Sequence, residues 1–299
     1  MTLPHFLIIG GMKCGSTTLY RDLLTHPRVF FPIDKEPCNL CHDRVLTPEG
    51  RAEYESLFKR ARPDQLCAEA STDYTKLPDR PGVPARALQV LGPELKLIYL
   101  VRDPIKRLVS HHYHEYSRAA MPADIAQAVE RHPELLNYSR YAMQLEPWLD
   151  AFDERQIRVV RFEAYIADRR AVVGDLQAFL GLDPRPELVE TDKVHNKSEG
   201  KPIARGPMHA LSRSGAYRSL IRPLAPVWLK DRLRRTLLPK APPRPDPPTP
   251  ELTEALLAKL EDDRRRTDEL IARLGGGSAT AGQSRADARP PTTAHCGEG

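Results

Sequence analysis

Phe6-Leu7-Ile8-Ile9-Gly10-Gly11-Met12-Lys13-Cys14-Gly15-Ser16-Thr17-Thr18 is the stretch that decides the fold. Its apolar run predicts a short buried strand, and the glycines that follow at once predict a tight turn. Leu19, Leu23 and Leu24 then recur at helical spacing until His26-Pro27 stops the helix. Strand, glycine-rich turn and helix open a phosphate-binding βα unit, in which successive N–H groups face an anion at a helix N-terminus. The turn adds a cation, Lys13, and three hydroxyls, Ser16, Thr17 and Thr18. A nucleotide-triphosphatase loop places its lysine directly after the last glycine. Here the lysine stands two residues before Gly15 and Ser16 follows that glycine, which argues against a kinase or hydrolase. A glycine turn that holds no ligand is the bland alternative.

Working outward, residues 65–70 predict a second strand, short and bounded by turn-formers. Residues 97–101 (Leu-Ile-Tyr-Leu-Val) form an unbroken apolar run of the kind that parallel sheets bury. After it, Asp103 caps a helix whose first position is Pro104. Residues 157–162 predict a further strand, followed by a helix through Val172, Leu176, Phe179 and Leu180 that ends at Gly181. Strands alternating with helices imply an α/β fold of one domain, a central, mostly parallel sheet flanked by helices. The expected organisation is an α/β domain over 1–240, a proline-rich connector with a C-terminal helix over 241–274, and a disordered tail over 275–299. The middle of that helix, residues 261–269, is polar on every face and is expected to dock through its two ends.

The totals agree with a soluble enzyme-sized domain. The chain has 299 residues, 40% hydrophobic and 28% charged, with 45 basic and 40 acidic side chains for a net charge of +5. Mixed charge favours a basic pocket for an anionic ligand over a nucleic-acid surface. The first ten residues lack a basic n-region and a cleavage site, and no apolar run is long enough for a transmembrane segment. Five cysteines, an odd number, then suggest reduced thiols and a cytoplasmic location.

The pattern K-x-G-[ST]-T between a first strand and a first helix resembles the 5′-phosphosulfate loop of sulfotransferases, and further motifs follow in the family's order. His26-Pro27-Arg28-Val29 and Lys35-Glu36-Pro37 are similar to the H-P-x-V and K-E-P of the heparan-sulfate and bacterial type. Ala68-Glu69-Ala70-Ser71-Thr72-Asp73-Tyr74 resembles G-E-x-S-x-x-Y without its glycine. Arg102-Asp103-Pro104, with Ser110 eight residues after the arginine, resembles the 3′-phosphate motif. Tyr141 to Trp148, Phe152, Phe162-Glu163 and Phe179-Leu180-Gly181-Leu182 continue the likeness, which covers residues 6–201.

The resemblance implies a donor, 3′-phosphoadenosine 5′-phosphosulfate, and no metal. Its 5′ end would lie on Lys13, Cys14, Gly15, Ser16, Thr17 and Thr18, and its 3′-phosphate on Arg102 and Ser110. A donor-covering loop would include Lys197, Ser198, Gly200 and Lys201. Lys13 would stabilise charge on the breaking bond and Glu36 would take the acceptor's proton, with Lys35 and Tyr74 as substrate contacts; Glu69 is the runner-up base, or else a substrate contact or a support lying behind the residues that touch substrate. The acceptor would be a small molecule, glycan or lipid, its choice expected to reside in residues 120–140 and 204–238. A kinase or hydrolase on a P-loop fold, or a non-catalytic nucleotide-binding protein, stays open beside this reading.

Two decoys remain. Cys38-Asn39-Leu40-Cys41-His42 spells a haem-attachment motif and half of a zinc site, but no second half-site is visible in the sequence. His111, His112 and His114 are expected on a polar helix face.

Overall fold

Strand β1, Phe6–Gly10, is buried along its whole length, as an unbroken apolar run requires. The computed structural model describes residues 3–32, 35–191 and 242–274. Around β1 stand β2 (Val29–Phe30), β3 (Leu66–Ala70), β4 (Lys96–Val101) and β5 (Ile157–Arg161), in the spatial order β2-β3-β1-β4-β5. Every neighbouring pair is parallel, with Phe6 opposite both Ala68 and Lys96, and Leu97 opposite Ile157. The register of β1 on β4 shifts between Ile8 and Gly10, which bends the chain out of the sheet into the glycine turn.

Helices cross between these strands. α1 is Ser16–Leu24, α2 Pro48–Ser56, α3 Val83–Leu91 and α4 Pro104–Tyr116. α5 (Ile125–Arg131), α6 (Glu134–Asn137) and α7 (Tyr141–Leu149) lead to β5, and α8 (Phe162–Ala167) and α9 (Arg169–Phe179) follow it. Asp103 caps α4 as its sequence predicts, its side chain accepting from Lys106 N at 2.7 Å with Pro104 in the first turn. α9 ends before Gly181, whose φ of +80° lies in the left-handed region that glycine tolerates. The main core joins the sheet to α1, α7 and α9, and burying each leucine or isoleucine of β1 is worth about 1.5–3 kcal/mol.

Helix α10, Pro250–Leu274, corrects one expectation. Its leucines do dock, Leu256 and Leu260 near one end and Leu270 and Leu274 at the other. Its polar middle docks too. Helix α7 has no capping side chain of its own at Arg140. Asp263 supplies one from 121 residues away, accepting from Ala142 N at 3.2 Å and from Met143 N at 2.9 Å. Thr267 Oγ1 accepts from Ala142 N as well, at 3.1 Å. A carboxylate set on exposed N–H groups of a helix N-terminus satisfies orphan donors and complements the dipole. The histidines of α4 bring a second correction: His111 and His112 are buried, His111 stacked on Tyr138 at 5.7 Å.

Candidate active site

The chain leaves β1 toward β2 and β3 on one side and leaves β4 toward β5 on the other. Open α/β sheets bind ligands at such a switch, beyond the carboxyl ends of the strands. Here the β1 loop carries Lys13 and the β4 loop carries Arg102. The loops are tied together: Gly11 N donates to Leu100 O at 2.8 Å, and Arg102 Nη1 donates to Lys13 O at 3.2 Å. A cavity of about 1410 Å³ opens there, and Lys13, Gly15, Ser16, Thr17, Thr18, Arg102, Ser110 and Glu36 all line it.

The loop's glycines are there for close approach. A Cβ on Gly10 would lie 2.0 Å from Thr75 Oγ1, and one on Gly15 would lie 2.8 Å from the Phe162 ring. Gly15, with φ +92°, also caps α1 without a side chain, so nothing of its own covers the first-turn N–H groups. Ser16 and Thr17 therefore present N–H groups that have no intrahelical acceptor, at the positive end of the dipole. Lys13 stands at φ +67°, beside them.

Arg102 sits with its guanidinium over the Phe162 ring, 4.6 Å from the centroid. Its Nε is buried and has no hydrogen-bond partner among the described residues. A permanently charged donor left unsatisfied in a cavity wall suits an anion, and the guanidinium fork matches phosphate oxygens. Ser110, two turns along α4, faces the same cavity. Tyr141 at the start of α7 braces both loops: its hydroxyl accepts from Arg102 N at 3.3 Å and lies 3.5 Å from Cys14 Sγ. The cap that Asp263 places on α7 therefore lies next to the residue that braces the β1 and β4 loops.

Glu36 has φ +65° and is anchored by its own N–H on Ala70 O at 3.0 Å. Its carboxylate accepts from Thr72 N at 3.3 Å and Thr72 Oγ1 at 3.0 Å, and pairs with Lys35. It keeps 33% of its side chain exposed, enough to meet a second molecule in the cavity.

Four expected contacts are corrected. Cys14 is wholly buried, its N–H is spent on Gly11 O at 3.1 Å, and burial pushes its thiol up to about 11. Lys35 is turned to Glu36 and does not line the cavity. Glu69, 0% exposed, accepts from Tyr54 and, at 2.6 Å, from Ser71 Oγ, and burial raises its pKa. Tyr74 is buried against it and accepts from Leu40 N at 3.3 Å. Glu69 and Tyr74 therefore support the Glu36 loop from beneath instead of touching a substrate. Lys197, Ser198, Gly200 and Lys201 lie outside the described residues, as do residues 204–238.

The structure adds residues that sequence reasoning missed. Lys76 and Arg244 line the cavity, Arg244 stacking 5.1 Å from the Tyr113 ring, so the proline-rich connector forms part of the wall. Arg169 lines it too, locked to Asp22 by bonds of 2.6 and 3.0 Å. Lys76 stands two residues past the Tyr74 motif and Arg244 within the proline-rich connector, but neither position marks a cavity wall in the sequence.

A family model described as a sulfotransferase domain matches residues 3–199. Heparan sulfate glucosamine 3-O-sulfotransferase 6 of Homo sapiens is 30% identical over 211 residues, covering 67% of this chain and 58% of that protein. Carbohydrate sulfotransferase 15 of Mus musculus is 26% identical over 281 residues, covering 71% and 50%. The match thus spans little more than half the length of these curated relatives. Among solved structures, a sulfotransferase from Alicyclobacillus acidocaldarius superposes with a TM-score of 0.62 at 22% identity, covering 91% of this chain and 97% of that one. Mouse sulfotransferase SULT7A1 complexed with PAP gives 0.51 at 16% identity, covering 91% and 88%. At those identities the likeness establishes the shared fold.

Proposed function

Because this chain belongs to the sulfotransferase domain family, we propose that it moves a sulfuryl group from 3′-phosphoadenosine 5′-phosphosulfate to a hydroxyl or amine of a carbohydrate, lipid or secondary-metabolite acceptor. One observation carries the reading: Lys13 and Arg102, on the two loops of the sheet's switch point, stand side by side on one cavity wall, and Arg102 Nε is buried and unpaired among the described residues. Two cationic positions in one cavity suit a nucleotide that is phosphorylated at both ends.

The donor supplies a sulfur–oxygen bond that breaks as a new one to the acceptor forms, leaving charge on the departing phosphate oxygen. Group transfers of this kind ask little covalent work of the protein, so position and electrostatics dominate. Lys13 and the N–H groups of Ser16 and Thr17 meet that charge, and such preorganised donors are worth several kcal/mol in a water-poor site. Arg102 and Ser110 hold the 3′-phosphate, which distinguishes this donor from a nucleoside triphosphate. Glu36, aimed by Thr72, takes the acceptor's proton. Lys197, Ser198, Gly200 and Lys201 complete the donor's cover.

The rest of the reading is organisational. Residues 1–240 act as the catalytic domain, 241–274 as a strap and helix that complete it, and 275–299 as a tail outside the chemistry. A cytoplasmic location is supported by Cys14, Cys38, Cys41 and Cys67, which stand as free thiols. No helix among the described residues is long and apolar enough to cross a membrane.

The test is a screen of hydroxyl and amine acceptors with isotope-labelled donor, beside calorimetry with 3′,5′-adenosine bisphosphate. Labelled product and binding of the bisphosphate are expected. Mg²⁺-dependent ATP turnover without bisphosphate binding would replace the reading with a kinase or hydrolase. Tight binding without transfer to any acceptor would leave a nucleotide-binding protein.

A further inference from the structure

Behind Glu36 the chain builds a cluster that the transfer reaction does not use. Cys38, Cys41 and Asp73 bring one ligand atom each to within 4.8 Å of one another. The two cysteines belong to a C-x-x-C turn in which Cys38 has φ +58° and a single 3₁₀ turn, Asn39–Cys41, carries the second sulfur back toward the first. Asp73 comes from the far side, 32 residues on, on the short turn after β3, and Cys41 Sγ lies 3.9 Å from its carbonyl. His42, the third ligand a sequence reading would pick, is exposed and outside the cluster.

We propose that Cys38, Cys41 and Asp73 form a binding site for a thiophilic divalent cation of the zinc type. Zn²⁺ takes sulfur at about 2.3 Å and carboxylate oxygen at about 2.0–2.2 Å, which sets tetrahedral ligands about 3.5–3.8 Å apart. Atoms already within 4.8 Å therefore need to close by about 1 Å. Two soft sulfurs exclude Mg²⁺ and Ca²⁺, which take oxygen ligands. Asp73 Oδ1 holds Lys76 at 2.5 Å, and a carboxylate has lone pairs enough to keep that bond and ligate a metal through its second oxygen. Lys76, with Arg80 at 4.0 Å from Oδ2, offsets part of the charge of two thiolates and a carboxylate. On binding, each thiol gives its proton to solvent, and a water completes the fourth position. Asp73 lines the large cavity, which gives the ion a way in.

The site stands apart from sulfuryl transfer but not from Glu36. Cys38 Sγ donates to Glu36 O at 3.3 Å, and Cys38 N donates to Ser71 Oγ at 3.4 Å. A bound cation would fix the turn from which Glu36 projects.

The experiment titrates the reduced, metal-free full chain with Co²⁺ and follows the thiolate-to-cobalt charge-transfer band. The expected result is a band that saturates at one ion per chain and is displaced by Zn²⁺. Loss of the band is expected in both Cys38→Ser and Cys41→Ser. In Asp73→Asn the band should remain with weaker Co²⁺ binding, because both sulfurs are kept, and in Cys296→Ser it should be unchanged. A second measurement needs no variant: Zn²⁺ should slow alkylation of Cys38 and Cys41 in the wild-type chain, read by peptide mass mapping. No band with excess Co²⁺, a band that survives both cysteine substitutions, or alkylation indifferent to Zn²⁺ would each overturn the proposal.

Discussion

Replacing Arg102 with alanine separates anion recognition from scaffolding. Among the described residues the side chain makes two scaffolding contacts, the bond from Nη1 to Lys13 O at 3.2 Å and the stack on Phe162 at 4.6 Å. The first is worth about 1 kcal/mol and the second about 0.5–1 kcal/mol. Their loss should lower stability by about 1.5–2 kcal/mol, a drop of about 3–8 °C in Tm for a chain of this size. The larger effect should appear with ligand. Hydrogen bonds to charged groups contribute about 1.5–3 kcal/mol, and Nε has no other partner among the described residues to fall back on. Affinity for 3′,5′-adenosine bisphosphate should therefore fall by about 2–3 kcal/mol, or roughly 30- to 150-fold. Calorimetry measures the affinity, and a thermal melt of the same sample measures the scaffold. Arg102→Lys, which keeps the charge but loses the planar fork, should recover only part of the binding. A variant that melts early yet binds the bisphosphate within threefold of wild type would show that Arg102 only ties two loops together.

Three further outcomes are expected. Glu36→Gln keeps an acceptor for the Thr72 bonds but takes no proton, so single-turnover transfer should slow by about 10²–10⁴-fold with donor affinity little changed; full speed would move the base elsewhere. Asp263→Ala leaves Met143 N without its acceptor and should cost about 1–3 kcal/mol in urea unfolding, while the exposed neighbour Asp262→Ala should cost under about 0.5 kcal/mol. Equal costs would refute the capping role. His111 is held down to about 2, from an ordinary 6.5, by burial and then by the Arg107 charge. Its neutral folded form thus favours the fold above pH 6.5, and that contribution drains away as pH falls toward 2. In His111→Phe, denaturant midpoints should decline less steeply across this window; an unchanged slope would clear His111 of the effect.

How much the sequence disclosed depended on whether neighbours in space were neighbours in the chain. β1, β4 and the start of α4 were legible because apolar runs, glycines and an Asp-Pro pair act locally. β2 was not, since two residues carry no periodicity. Lys13 and Arg102 could be named from motifs, but their contact across 89 residues could not. Glu69 was left between three roles for a related reason. A carboxylate in a strand reads as facing solvent or substrate until Tyr54 and Ser71 are seen to satisfy it. Asp263 and Thr267 looked like solvent-facing residues because the N–H groups they serve lie on another helix. The C-x-x-C turn looked like half a site because the aspartate that joins it in space stands on a separate turn.

The graft of Asp263 onto the start of α7 also sets an order of assembly. During synthesis Ala142 leaves the ribosome 121 residues ahead of the carboxylate that covers it. Until α10 arrives, the segment carrying Tyr141 has uncovered N–H groups, and the brace between the β1 and β4 loops lacks that support. A protein shortened before Pro250 would lose that cover, together with Leu270 and Leu274 from the core the sheet shares, so the proposed nucleotide pocket should be the part of the fold most dependent on the last helix.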